Sequence, residues 1–166
     1  MTITATSNTN KHWLIKSNPK CFSIGDLQQK GSDMWEGVRN YRARNFMRDD
    51  MQVGDQVLFY HSSAKPSGVA GVVTVTRAGY PDPTQFHPES RHYDPRALQD
   101  KPRWYVVDVA FSYAFADILP LSTLKDIPAL EDCLLLRKGC EQLTVLPLEA
   151  RHWQAIMTAA ADADLI

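Results

Sequence analysis

The chain has 166 residues and a mass of 18.7 kDa, of which 44% are hydrophobic and 22% charged, the size and balance of one globular domain with its own core. Eighteen Lys and Arg stand against 19 Asp and Glu, a formal net charge of −1, so any role on nucleic acid must rest on a local patch and not on a basic domain. No run approaches the roughly 18 apolar residues of a membrane span. Cys21, Cys133 and Cys140 lack a C-x-x-C spacing and read as free thiols of a reducing cytoplasm.

In chain order, MTITATSNTNK has no apolar segment of a secretory signal and reads as a flexible tail over residues 1–11, followed by a single domain over 12–160. HWLIK is predicted as a short buried strand, closed by Ser17-Asn18-Pro19, where Pro19 disfavours helix at Asn18. Ser23 suits a helix N-cap, with Asp26 three residues on as its capping-box partner and Gly31 as the stop. Strands are predicted for QVLFYHS and for VAGVVTVTRA. In the second, Gly68 and Gly71 mark a close backbone approach, Gly71 sharing its face with Val69, Val73 and Val75. Residues 79–103 form a long loop with Pro81, Pro83, Pro88, Pro95 and Pro102, of a length that is functional or flexible. RWYVVDVAF is a strand fading toward Ile118, LSTLKDI a short helix capped by Ser122, and ALEDCLLLRKG a helix stopped by Gly139. LTVLPL gives a last strand and EARHWQAIMTAA a closing helix. About five strands interleaved with short helices, without a βαβ rhythm, predict an α+β fold: a small, mostly β barrel with peripheral helices.

Enzyme signatures are absent: there is no G-x-S-x-G, phosphate-binding glycine loop or H-E-x-x-H. His87 and His92 read as solvated loop histidines, with no metal site and no cofactor implied. Asp108, inside a strand, is either a structural acceptor or a pocket acceptor. The informative stretch is WEGVRNYRARNFMR, residues 35–48, with Arg39, Arg42, Arg44 and Arg48 and no acidic residue between Gly37 and Arg48. At about 100° per residue, Ala43, Phe46 and Met47 share one side and Tyr41, Arg44 and Arg48 the other. Arg39 falls on the apolar side, where it must meet a carboxylate or line a cavity. Arginines interleaved with Trp35 and Tyr41 are the ingredients of stacking plus backbone contact on nucleic acid; the competing reading is a solvated basic face balanced by Asp49 and Asp50. Alternation along residues 56–62 puts Leu58, Tyr60 and Ser62 on one face and Val57, Phe59 and His61 on the other. Together with Lys16 and Ser17 at the end of the first strand, these groups would suit a flat polar ligand such as a nucleobase.

The motifs HWLIKSNP, WEGVRNYRARNFMR, GDQVLFYHS, GVAG, YPDPTQF, HYDP, WYVVDV and LTVLPL, in order from His12, resemble those of the EVE domain, a member of the PUA-like superfamily. The resemblance implies a PUA-like mixed β pseudobarrel of about five to six strands with peripheral short helices. It also implies a non-catalytic module that reads a modified base, with 5-methylcytosine and its oxidised forms in DNA as the suggested targets. The related YTH domains hold a methylated adenine of RNA in an aromatic cage, which Trp35 and Tyr60 echo. Carried onto this chain, the base pocket comprises Ser17, Trp35, Asn40, Tyr60 and Ser62, with Lys16, Arg39, Arg44 and Arg48 on the backbone. Two departures stand out: Asn18 replaces the family's usual Glu, and Arg42 replaces a common Gln, adding positive charge.

The expected partner is thus DNA or RNA carrying a modified base, bound by a monomer in the cytoplasm and not at a membrane. The alternatives are a protein-interaction or scaffold domain with an unused cavity, or a small nucleotide-acting enzyme with Asp108 or His61 as its acid–base group.

Overall fold

The computed structural model describes residues 10–166, so the expected tail lies largely outside the described residues. Its last residue is fixed: the Lys11 N–H donates to Asp55 Oδ1 at 2.9 Å. The fold is α+β, a single mixed sheet of six strands carrying short helices.

The strands are β1 (His12–Ser17), β2 (Ser32–Met34), β3 (Gln56–His61), β4 (Gly68–Pro81), β5 (Tyr105–Pro120) and β6 (Val145–Leu148). Their spatial order is β2-β5-β4-β3-β1-β6, with β1 and β3 parallel and every other pair antiparallel. The neighbouring strands β1 and β3, both interior to the sheet, are covered on both faces, which is why HWLIKS and QVLFYH read as nearly continuous apolar runs. Trp13, Leu14, Ile15, Val57, Leu58 and Phe59 are all at most 1% exposed. Buried Asp55 braces this centre by accepting from Trp13 Nε1 and from the backbone of Lys11 and Gln52.

The sheet bends without closing. β4 and β5 pair as a long ribbon whose register slips at four places, and such bulges increase local twist and curl. The ends of the sheet, β2 and β6, remain unpaired with each other. The barrel of the sequence expectation is therefore a curled open sheet, with edges of only three and four residues, short enough to limit edge-to-edge pairing.

The helices are α1 (Ile24–Lys30), α2 (Tyr41–Asn45), α3 (Leu121–Lys125) and α4 (Ala150–Asp162). α1 carries the expected capping box: Ser23 Oγ accepts from the Asp26 N–H, Asp26 Oδ2 accepts from the Ser23 N–H, and Gly31 follows at φ +86°. α2 runs directly into a π-turn, Phe46–Asp50, closed by Met51 N–H to the Phe46 carbonyl. Two expectations fail downstream. α3 starts two residues earlier than a Ser122 cap requires, with Pro120 at its cap position and Ser122 inside its first turn. The segment predicted as a helix up to Gly139 instead forms two 3-10 turns, Pro128–Leu130 and Leu134–Leu136. Its buried positions are Leu130, Cys133 and Leu135, a spacing that no helical face provides, and Asp132 is held by Arg151 and His152 of α4.

Gly71 sits where β4 meets β5, and a Cβ built there would lie 2.6 Å from the Tyr113 carbonyl oxygen and 3.0 Å from Ala114 Cα. Both obstacles are backbone, so they cannot rotate away. Gly71→Val is expected to destabilise the fold by about 1–3 kcal/mol, the usual cost of overpacking. Denaturant unfolding checks this; an unchanged or raised midpoint contradicts the close approach.

His61, at the end of β3, accepts the Ile24 N–H at 3.1 Å through Nε2 and is 8% exposed. Burial pushes its imidazole below its usual value, so the folded state holds it neutral while the unfolded chain takes up a proton near pH 6.5. Stability from this group is complete above that pH and lost as the pH falls below it. The unfolding midpoint of the wild type is therefore expected to drop more steeply between pH 7 and 5 than that of His61→Gln. Parallel pH profiles would contradict it.

Candidate nucleic-acid interface

A cleft of about 460 Å³ opens where the end of β1, the turn before α1, β2 and the segment 35–40 converge. Its apolar wall is Trp35, packed edge-on against Phe59 (5.6 Å between centroids) and Phe22 (6.2 Å). Trp35 retains 9% exposure, so it is a core side chain that presents only part of its ring to the cleft. Polar groups surround it. Ser17 donates to the Phe22 carbonyl at 2.6 Å, leaving its hydroxyl oxygen able to accept, and Asn18 Oδ1 accepts from the Lys20 N–H. Asn40 is the N-cap of α2, accepting from the Ala43 N–H at 2.9 Å. Asn18 thus lies in the cleft lining itself.

Another part of the lining, Arg91 and His92, comes from the long loop before β5. Asp82 is fully buried, and its oxygens accept from the Gly37 N–H (3.0 Å), Arg39 Nη1 (2.9 Å), the Thr84 N–H (2.8 Å) and the Thr84 hydroxyl (2.6 Å). Burial alone would raise this carboxyl, but the donors from Thr84, Gly37 and Arg39 outweigh it and hold it below the ordinary Asp value. Arg39 also donates to the His92 carbonyl at 2.7 Å. It therefore meets both conditions posed by its position, a carboxylate partner and a cavity to line. His92 closes the wall over Gly37, which has φ +83°; a Cβ there would lie 2.6 Å from the imidazole. Burial, then the neighbouring guanidinium groups of Arg39 and Arg91, push His92 below the usual histidine value and favour its neutral form.

Of the residues singled out from sequence, Ser17, Trp35, Asn40, Lys16 and Arg39 line this cleft together. Tyr60 and Ser62 line a second hollow of about 280 Å³. Lys16 is common to both, its ammonium 5.9 Å from the Tyr60 ring centre and bonded to the Glu141 carbonyl. Its half-buried position lowers its pKa from the usual lysine value, partly offset by Glu141. Arg44 and Arg48 lie outside both hollows. Arg44 bonds the Asn45 side chain and the Arg103 carbonyl, whereas Arg48 forms a two-bond pair with Asp49 at 2.8 Å. Sequence reasoning missed Phe22, Gly37, Val38, Arg91 and His92 as lining residues. The HYDP motif was the available signal for His92.

The groups named for an enzyme are committed elsewhere. His61 accepts from α1, and Asp108 accepts from the Tyr80 hydroxyl, whose pKa is pushed up to about 12 by burial and then by that carboxylate. Neither lines the cleft. Among the described residues no cluster of three or more His, Cys, Asp or Glu side chains is placed to hold a metal, and no helix is long and apolar enough to cross a membrane.

Comparison with known proteins places this geometry. The model of the EVE domain matches residues 11–159. Human thymocyte nuclear protein 1 is 43% identical over 129 residues, covering 71% of this chain and 57% of the human protein, so the chain matches under two thirds of that relative's length. A crystal structure of a protein from Pseudomonas putida superposes with a TM-score of 0.87 at 44% identity, covering 90% of this chain and 99% of the other. The human THYN1 protein, solved in complex with 5-methylcytosine-containing DNA, superposes with a TM-score of 0.84 at 35% identity, covering 91% of this chain and 98% of the other. With nearly the whole described chain inside the family match, and the same sheet shared with these structures, the chain belongs to the EVE domain family.

Proposed function

We propose that this protein is a non-catalytic reader of modified DNA, whose cleft takes a base of the 5-methylcytosine type turned out of the helix. The observation that carries the reading is the cleft itself, occurring in a chain whose fold it shares with a human protein bound to 5-methylcytosine-containing DNA. One wall is aromatic, the rim carries the hydrogen-bonding groups of Ser17, Asn18 and Asn40, and cations stand at Lys16, Arg39 and Arg91. A flipped base is read by stacking and by hydrogen bonds to its pairing edge, and the cleft offers groups of both kinds. The methyl group of the modified base would enlarge the apolar contact with the Trp35 wall.

Asp33 and Glu36 also line the cleft and temper its charge, so affinity for the strand must come from outside it. Arg44 is the better candidate for that contact, because Arg48 is already neutralised by Asp49. Tyr60 and Ser62, in the second hollow, would reach a nucleotide only through Lys16 or after a rearrangement at that lysine. DNA is the favoured polymer, on the precedent of the human relative's ligand; RNA carrying a comparable base is the competitor.

Because Trp35 is also a core residue, its truncation to Ala would open a cavity. Trp35→Leu keeps the wall filled and removes the aromatic face. In a folded Trp35→Leu protein, binding to an oligonucleotide with one 5-methylcytosine is expected to weaken by about 1–3 kcal/mol, the range for one base–aromatic stack. Binding to the unmodified sequence should change less. Wild-type affinity and discrimination in this variant, measured by fluorescence anisotropy, would remove Trp35 from the proposed site.

A further inference from the structure

Beside the cleft lies a layer of arginines and aromatic rings of which the role proposed above uses only Arg39 and Arg44. Arg39, whose guanidinium lines the cleft, also sits 5.4 Å from the centre of the Trp104 ring. Trp104 stacks with Tyr41 at 4.9 Å and 26° between planes, and the Arg44 guanidinium lies 4.7 Å from the centre of Tyr41. Arg103 completes the layer by donating from Nη1 to the Tyr41 hydroxyl at 3.0 Å, while its carbonyl accepts from Arg44 at 3.0 Å. The contacts run without a break from the cleft to a surface where Tyr41 is 50% exposed.

Buried polar groups hold this layer in place. Gln85 is fully buried and uses its whole amide: Nε2 donates to the Asp82 and Trp104 carbonyls, and Oε1 accepts from the Arg103 and Trp104 N–H groups. Asp94 accepts from Trp104 Nε1 at 2.8 Å. Arg44 and Arg103 themselves meet only amide, hydroxyl and carbonyl oxygens; among the described residues neither forms an ion pair. Two guanidinium groups are thus held firmly next to a cleft without a direct carboxylate partner, Asp49 acting on Arg44 only through space. Planar guanidinium groups with spare donors match phosphate oxygens.

We infer that this layer carries the phosphodiester strand on its way out of the cleft, with Arg103 joining Arg44 as a phosphate contact and Tyr41 acting as a positioning residue for both. The inference rests on the DNA-reading role proposed above and adds to it a contact that is blind to the modification. The partner is a polynucleotide strand and not a free base, because these cations stand outside the cleft, where only a neighbouring phosphate would meet them.

The test is a salt titration of binding to matched oligonucleotides with and without one 5-methylcytosine. Arg103→Gln is expected to weaken both by roughly threefold to tenfold, to reduce the slope of log affinity against log salt by about one, and to leave the ratio between them unchanged. Arg103→Lys should restore the slope. Tyr41→Phe, which removes only the hydroxyl that Arg103 bonds, should weaken both DNAs in the same proportion as each other. Wild-type affinity and slope in Arg103→Gln and Tyr41→Phe overturns the inference, as does a change confined to the modified DNA. Loss of discrimination in the wild type would instead count against the cleft, because the salt slope on unmodified DNA reads the arginine layer alone.

Discussion

A single buried carboxylate, that of Asp82, organises the functional face of this molecule. It has no exposure to solvent and four donors aimed at its two oxygens, from a glycine N–H, an arginine, and the backbone and hydroxyl of Thr84. A charge in the interior is tolerated only when it is paired and fully hydrogen-bonded, and the loss of one partner strands the other. The donors come from two distant parts of the chain. One is the segment just after β2, and the other begins the long loop that precedes β5. Meeting the needs of one carboxylate therefore fixes the loop as the second wall of the cleft and turns Arg39 into a cleft residue.

This arrangement reconciles a near-neutral chain with the proposed role on a polyanion. Negative charge is drawn inward or paired: Asp82 and Asp94 are buried acceptors, and Asp49 neutralises Arg48. Positive charge is left outward at Arg44 and Arg103. The relevant quantity is thus the local surplus around one opening, and the total of −1 conceals it. The cleft interior holds cations and carboxylates together, Lys16, Arg39 and Arg91 with Asp33 and Glu36, a composition suited to a polar base and less suited to phosphate. In the proposed role, recognition and adhesion fall to adjacent but separate groups.

Local features were legible in the sequence because local physics decides them. The capping box of α1 needs only Ser23 and Asp26, and the β-branched run of β4 has few alternatives to a strand. The awkward position of Arg39 was also legible as a demand for a carboxylate, though not which one would answer it. Sequence grouped Tyr60 and Ser62 with Ser17, whereas they line a neighbouring hollow that shares Lys16 with the cleft, because alternation along one strand does not report what a neighbouring strand contributes. The segment 129–138 was expected to be a helix stopped by Gly139, yet packing against α4 and the grip of Arg151 and His152 on Asp132 favoured two tight turns. Gln85 and Asp94 stood within the YPDPTQF and HYDP motifs, but nothing local gave their roles. Their importance comes from contacts with Trp104, 19 and 10 residues away.

The central claim is that a modified base enters the cleft between Trp35 and the loop wall of His92. A crystal structure with an oligonucleotide bearing one 5-methylcytosine tests it directly. The account expects that base to lie against Trp35, within hydrogen-bonding reach of Ser17 or Asn40, while the strand passes over the arginines beside α2. A complex in which the modified cytosine remains stacked in its helix, with the cleft empty, would contradict the account.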